Sequence, residues 1–283
     1  MKRIALRSIV SITAFFLGVS TAWSPTDVKI ERSAEPEFNF SKPQAAKLNG
    51  LSPEFTNVSL PNGLRFIDLL LVYDGESSVG RLAMEQGINK SWLGLFKRGN
   101  KYSLERRSAT FGKLVKSDFG DFYPVRFRDA ERALFLISDE DGFTPGRVTT
   151  LYQGPSDEEL ENQDLPFELM EFGFRREFHL DGKRYTLRVA PGTSEEGFPL
   201  SVLVLESSEK NQIVWYKQYS EASRPSAGEL DWVGDLDGDS KLDFKISSYR
   251  TNGGQKESFL FLSSKATPEN LVAPHAYYSA RMY

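Results

Sequence analysis

Four aspartates crowd the segment GDLDGDSKLDF, residues 234–244: Asp235, Asp237, Asp239 and Asp243. Counted from Asp235 they stand at positions 1, 3, 5 and 9, and the peptide carbonyl of Lys241 falls at position 7. Oxygen donors at this spacing in a tight loop converge on one centre. Such hard donors suit Ca2+, which accepts about six to eight of them in a flexible shell. Without a cation, four carboxylates brought that close repel one another, and some take up protons. The chain has no cysteine, and neither of its two histidines is near, so soft-metal chemistry is disfavoured. The candidate ligands are therefore Asp235, Asp237, Asp239, Asp243 and the Lys241 carbonyl, around one Ca2+. The competing reading is a solvated hairpin loop of unusually high charge.

The longer stretch VGDLDGDSKLDF, residues 233–244, resembles the calcium loop of FG-GAP and VCBS-type repeats, the blade units of integrin-like β-propellers. The resemblance implies ligands at the same four aspartates and the Lys241 carbonyl, with a strand following the loop. Ser240 stands where that family usually has glycine, so a non-glycine residue is expected to take left-handed geometry there. The motif occurs once. It is not an EF-hand loop, because Ser240 replaces the glycine at position 6 and Ile246 the glutamate at position 12.

Catalytic signatures are missing. Without cysteine there is no thiol chemistry. His179 falls on the polar side of a strand beside Arg175 and Glu177, and His275 lies in the C-terminal APHAYYSARMY; both are expected at the surface. GESSVG, residues 75–80, shares only composition with a nucleophile elbow and reads as a turn. No metalloprotease helix, phosphate loop or dinucleotide fingerprint is present. Trp92, Trp215 and Trp232 fall in or beside strands and are expected in the core, Trp232 packing beneath the aspartate loop.

The elements that must position this loop read as β. RFIDLLLVY (65–73) is a strand candidate, and SWLGLFKRGNKYSLERR (91–107) two strands around a basic, solvated tip. FYPVRFRDAERALFLIS (122–138) offers two more. In FGFRREFHLDGKRYTLRVA, Phe172, Phe174, Phe178 and Leu180 share a face, and Asp181-Gly182 marks a hairpin turn. SVLVLE (201–206) and QIVWYK (212–217) are apolar on both faces, as central strands buried on each side would be. Leu242, Phe244 and Ile246 alternate, TNGG (251–254) turns the chain, and SFLFLSS (258–264) follows. Helix signals reduce to a short turn near TPENLV (267–272). The expected fold is mainly β, with antiparallel strands and hairpins in a sandwich or propeller-like arrangement and few short helices.

Residues 1–22 read as a secretory signal peptide: a basic start at Lys2, Arg3 and Arg7, a short apolar run from Ile9 to Val19, and Ser20 and Ala22 before the expected cleavage. An uncleaved anchor is the alternative. Lack of cysteine closes the lipoprotein route. Residues 23–60, with Pro25, Pro36, Pro43 and Pro53, read as an extended leader or linker. Residues 61–283 form the β region, as one body or as two subdomains, 61–140 and 141–283. Cleavage would remove three basic residues and no acidic ones, leaving 32 basic against 39 acidic, a formal charge of −7. That balance argues against nucleic acid or an anionic membrane as partner.

These features point to an exported protein, periplasmic or secreted, stabilised by one calcium ion. Its role is binding or structural interaction with a protein or glycan, without stable membrane insertion after cleavage. A secreted hydrolase of polysaccharide or another polymer, with Ca2+ in support, is the alternative. No residue is singled out as catalytic.

Overall fold

The computed structural model describes residues 38–39, 66–68, 70–72, 76–79, 91–117, 120–127, 133–139, 142–155, 169–194, 197–219, 226–250 and 255–281. Every described residue belongs to one compact unit, residues 35–283. The signal peptide, most of the 23–60 leader and the TNGG turn lie outside the described residues.

The strands of the first half are β1 (Phe38–Asn39), β2 (Phe66–Asp68), β3 (Leu70–Val72), β4 (Glu76–Val79), β5 (Trp92–Arg98), β6 (Lys101–Arg107), β7 (Ala109–Phe111), β8 (Val115–Ser117), β9 (Gly120–Phe127) and β10 (Ala133–Ser138). Those of the second are β11 (Gly146–Gln153), β12 (Leu169–Glu171), β13 (Arg175–Leu180), β14 (Lys183–Thr193), β15 (Pro199–Ser207), β16 (Asn211–Gln218), β17 (Ser226–Asp235), β18 (Asp243–Arg250), β19 (Gln255–Leu262) and β20 (Ala273–Arg281). No α-helix occurs among the described residues.

A ten-stranded sheet runs β2-β10-β5-β6-β11-β17-β18-β19-β20, with β12 also on β17. A five-stranded sheet runs β1-β14-β15-β16 with β13 on β14, and another runs β3-β4-β9-β7 with β8 on β9. Among the described residues, pairing is antiparallel except between β1 and β14. The first and last strands of the large sheet, β2 and β20, approach each other, so that sheet curls.

The β14–β16 sheet stacks on β17–β19. Leu187, Leu203, Leu205 and Trp215 from one side meet Val233, Phe244, Ile246, Phe259 and Phe261 from the other in one buried cluster. The opposite face of β17–β20 is buried too: Trp232, Leu260, Leu262 and Tyr278 join Trp92, Leu95, Phe135 and Val148 inside the curl. Phe259, Leu260, Phe261 and Leu262 thus enter the two clusters alternately, which is why that strand is apolar throughout. The strands form sandwiched layers and one long ladder, the sandwich form of the expected fold.

Local readings hold where turn chemistry fixes them. Asp181 and Gly182 both have positive φ, 47° and 74°, and Leu180 pairs with Lys183 across the two-residue turn. Lys97, Arg98 and Lys101 are exposed at their hairpin tip, and His179 is exposed. TPENLV is a turn, closed by the Asn270 N–H donating to the Thr267 carbonyl at 3.0 Å.

Other readings are corrected. The 65–73 run divides into β2 and β3, which belong to different sheets. GESSVG contains strand β4 rather than a turn. β15 is central but β16 ends its sheet. Its adjacent apolar residues come from a register shift, which turns both Val214 and Trp215 into the inter-sheet cluster. His275 is buried, not at the surface, with its ring edge-on to Phe143 at 5.8 Å.

Candidate metal centre

The aspartate loop joins β17 to β18 as a hairpin, with Gly234 opposite Asp243 and Val233 opposite Phe244. Two leucines anchor it. Leu236 is buried in the cluster inside the curl, and Leu242 in the cluster between the sheets. A register shift at Asp231, between the pairs Leu230–Ile246 and Trp232–Lys245, changes the alternation of β17. Trp232 therefore points into the curl rather than following Leu230 between the sheets. Its indole N–H donates to Thr150 Oγ1 at 3.0 Å, and its ring folds over Gly234. A Cβ at position 234 would stand 2.2 Å from the Thr149 carbonyl oxygen and 2.5 Å from the Trp232 ring, so only glycine fits. Ser240 has φ 61° and Gly238 φ 79°, so the serine does occupy the left-handed geometry that its position requires.

Asp235, Asp237 and Asp239 each place a carboxylate oxygen within 4.8 Å of the others. Asp235 also organises the loop backbone, accepting the N–H of Gly238 at 2.8 Å, Asp239 at 3.1 Å and Ser240 at 3.1 Å. Asp239 accepts the Lys241 N–H at 2.9 Å, and the exposed Lys241 ammonium lies 3.6 Å from its other oxygen. Asp243 is fully buried outside that triad. Its oxygens accept the N–H groups of Leu236 and Ser263, both at 2.8 Å. The Ser263 hydroxyl stands 2.9 Å from Asp243 Oδ1 and 3.0 Å from each oxygen of Asp239, linking the buried carboxylate to the triad.

The electrostatics follow from burial and crowding. Burial pushes the Asp243 carboxyl up to about 8, helped by the charge of Asp237 and opposed by the Ser263 and Leu236 donors. Partial burial also raises Asp235, with Asp237 and Asp239 adding like charge and the Ser240 and Gly238 amides opposing. Tyr185, reaching the loop from β14, is raised by burial and by the Asp239 charge.

Whether these residues fit a cation is answered by one atom. Asp237 Oδ2 is out of contact with solvent and accepts no hydrogen bond among the described residues. A buried carboxylate oxygen left in that state is costly. A cation at the triad would satisfy it, and the donor set, all oxygen, suits a hard ion. The residues fit a metal ion.

Sequence reasoning missed Ser263 and Tyr185. Ser263 was discoverable: the pairing of Phe244 with Phe261 carries the chain to Ser263 beside the loop, one residue past the end of β19. Tyr185 gave no local signal, since it comes from the other sheet. No protein-family model, curated protein or solved structure matches the chain.

Proposed function

We propose that the chain is an exported calcium-binding β protein with a binding or structural-interaction role outside the cytoplasm. One Ca2+ is held by Asp235, Asp237, Asp239, Asp243 and the Lys241 carbonyl, after the FG-GAP and VCBS-type loop that residues 233–244 resemble. The observation that carries the reading is the orphaned Asp237 Oδ2 beside two converging carboxylates. The ion's role is structural, because the loop is rooted in both cores and its occupancy stabilises what it is rooted in. A protein or glycan is the partner, consistent with the acidic balance of the chain.

Thermal unfolding in millimolar Ca2+ and in EGTA tests this. At about 100 times the dissociation constant, calcium adds roughly 2.7 kcal/mol. For a domain of this size that raises the melting temperature by roughly 5–10 °C. Asp237→Ala should abolish the rise. An equal melting temperature with and without calcium in the unsubstituted protein would return the loop to a charged turn.

A further inference from the structure

We propose that Ser263 is a positioning residue that ties the calcium site to the segment 264–272, so that order in this segment follows the ion. The inference rests on the calcium reading above. Ser263 is buried at the end of β19, and it is the one residue outside the loop whose side chain hydrogen-bonds the loop's carboxylates among the described residues. A hydroxyl has a single proton to donate. Three carboxylate oxygens of Asp239 and Asp243 lie within 3.0 Å of this one, so the two residues compete for it. A cation held by both Asp239 and Asp243 fixes these carboxylates relative to the hydroxyl and ends the competition.

From Ser263 the chain runs as a mostly exposed strap to Val272, with turns closed at Ser263–Ala266 and Thr267–Asn270. Its far end is clamped to β16 of the other sheet. Gln212 Oε1 accepts the N–H groups of Leu271 at 2.7 Å and Val272 at 3.0 Å, and its amide donates to the Val272 carbonyl at 2.8 Å. Lys210 donates to the Pro268 carbonyl. The strap therefore spans from the ion site to the edge of the opposite sheet. Its β16 end is fixed by neutral amides and a lysine, while its Ser263 end is fixed by carboxylates that the ion would hold in place.

Hydrogen exchange of residues 264–272, measured with and without calcium alongside calorimetric calcium binding, tests the coupling. In the unsubstituted protein, calcium should slow exchange of this segment about tenfold or more. Ser263→Ala should bind calcium about tenfold more weakly and, even when saturated, fail to pass the slowing on to 264–272. Ser263→Thr, which keeps the hydroxyl, should restore both. Calcium binding with unchanged exchange in 264–272 would overturn the coupling and leave the site standing, as would a Ser263→Ala protein indistinguishable from the unsubstituted one. No binding heat in the unsubstituted protein would overturn the site itself.

Discussion

Two hairpins of this protein gather carboxylates, and they treat them in opposite ways. On β5–β6, Glu105 takes hydrogen bonds from Arg98, Arg107 at 2.7 Å and Ser103 at 2.6 Å. The Arg98 bond is the largest of the influences that bring its carboxyl down to about 2. Nearby, Asp139 receives two 2.7 Å bonds from Arg106, which lowers it as well. On β17–β18 the chain supplies backbone amides, one serine and one exposed lysine against four carboxylates, and the buried Asp243 goes up to about 8. Where the sequence carries its own counter-charge, the acid stays ionised. Where it does not, the acid must hold a proton or receive a cation from outside. The proposed calcium does at one hairpin what arginine does at the other.

The comparison is broken most directly by pH. The Asp243 carboxyl is raised above its ordinary 3.8, so its contribution in EGTA is fully present below about pH 4 and is lost as pH rises towards 8. Glu105 is lowered below its ordinary 4.5, so its contribution is present above that value and is lost as pH falls towards 2. Denaturant midpoints should show both limbs, the Asp243 limb on the order of a few kcal/mol. Calcium should flatten the upper limb and leave the lower one. Glu105→Gln should shrink only the lower limb, at a neutral-pH cost below about 1 kcal/mol because the pair is solvent-screened. A calcium-free protein whose stability rises from pH 5 to 8 would refute the account of Asp243.

The glycines at the two hairpins sharpen the contrast further. Gly234→Ala drives a Cβ into backbone and indole and should cost about 3 kcal/mol or more, with loss of the calcium response. At the tip of β5–β6 a Cβ on Gly99 meets nothing within 4 Å, and only its φ of 58° resists substitution. Gly99→Ala should cost about 1–2 kcal/mol. Equal losses in chemical denaturation would mean that the aspartate loop is not held against Trp232 and Thr149 as described.

What the sequence made legible was face and turn; neighbours were harder. Period-two alternation put Phe178, Leu180, Phe244 and Ile246 on the buried side, because one residue of slip would expose them all. The spacing of Asp235, Asp237 and Asp239 gave the triad, because a tight hairpin loop brings such residues together through local geometry alone. Alternation carries no information on which strand lies alongside, so the division of 65–73 between two sheets and the edge position of β16 were out of reach. His275 was misread because the C-terminal segment looks like a tail but forms strand β20, paired with β19 and facing Phe143. Ser263 belonged to a hairpin partner whose register had to be counted before the contact could be seen.

The order of strands in the large sheet bears on how the chain folds. β17, β18, β19 and β20 pair in the order in which they are linked, whereas β10 sits between β2 and β5, and β11 between β6 and β17. Closing the short connections of the meander costs little chain entropy, while seating β2 and β11 requires much longer loops to close first. The meander that carries the aspartate loop is thus the low-contact-order part of the topology. Pulse-labelled exchange during refolding should find β17–β20 amides protected before those of β2 and β11, and the reverse order would refute this. An ion captured at that early stage would act as a template for the sheet, bringing together the strands on which the rest of the ladder is then laid.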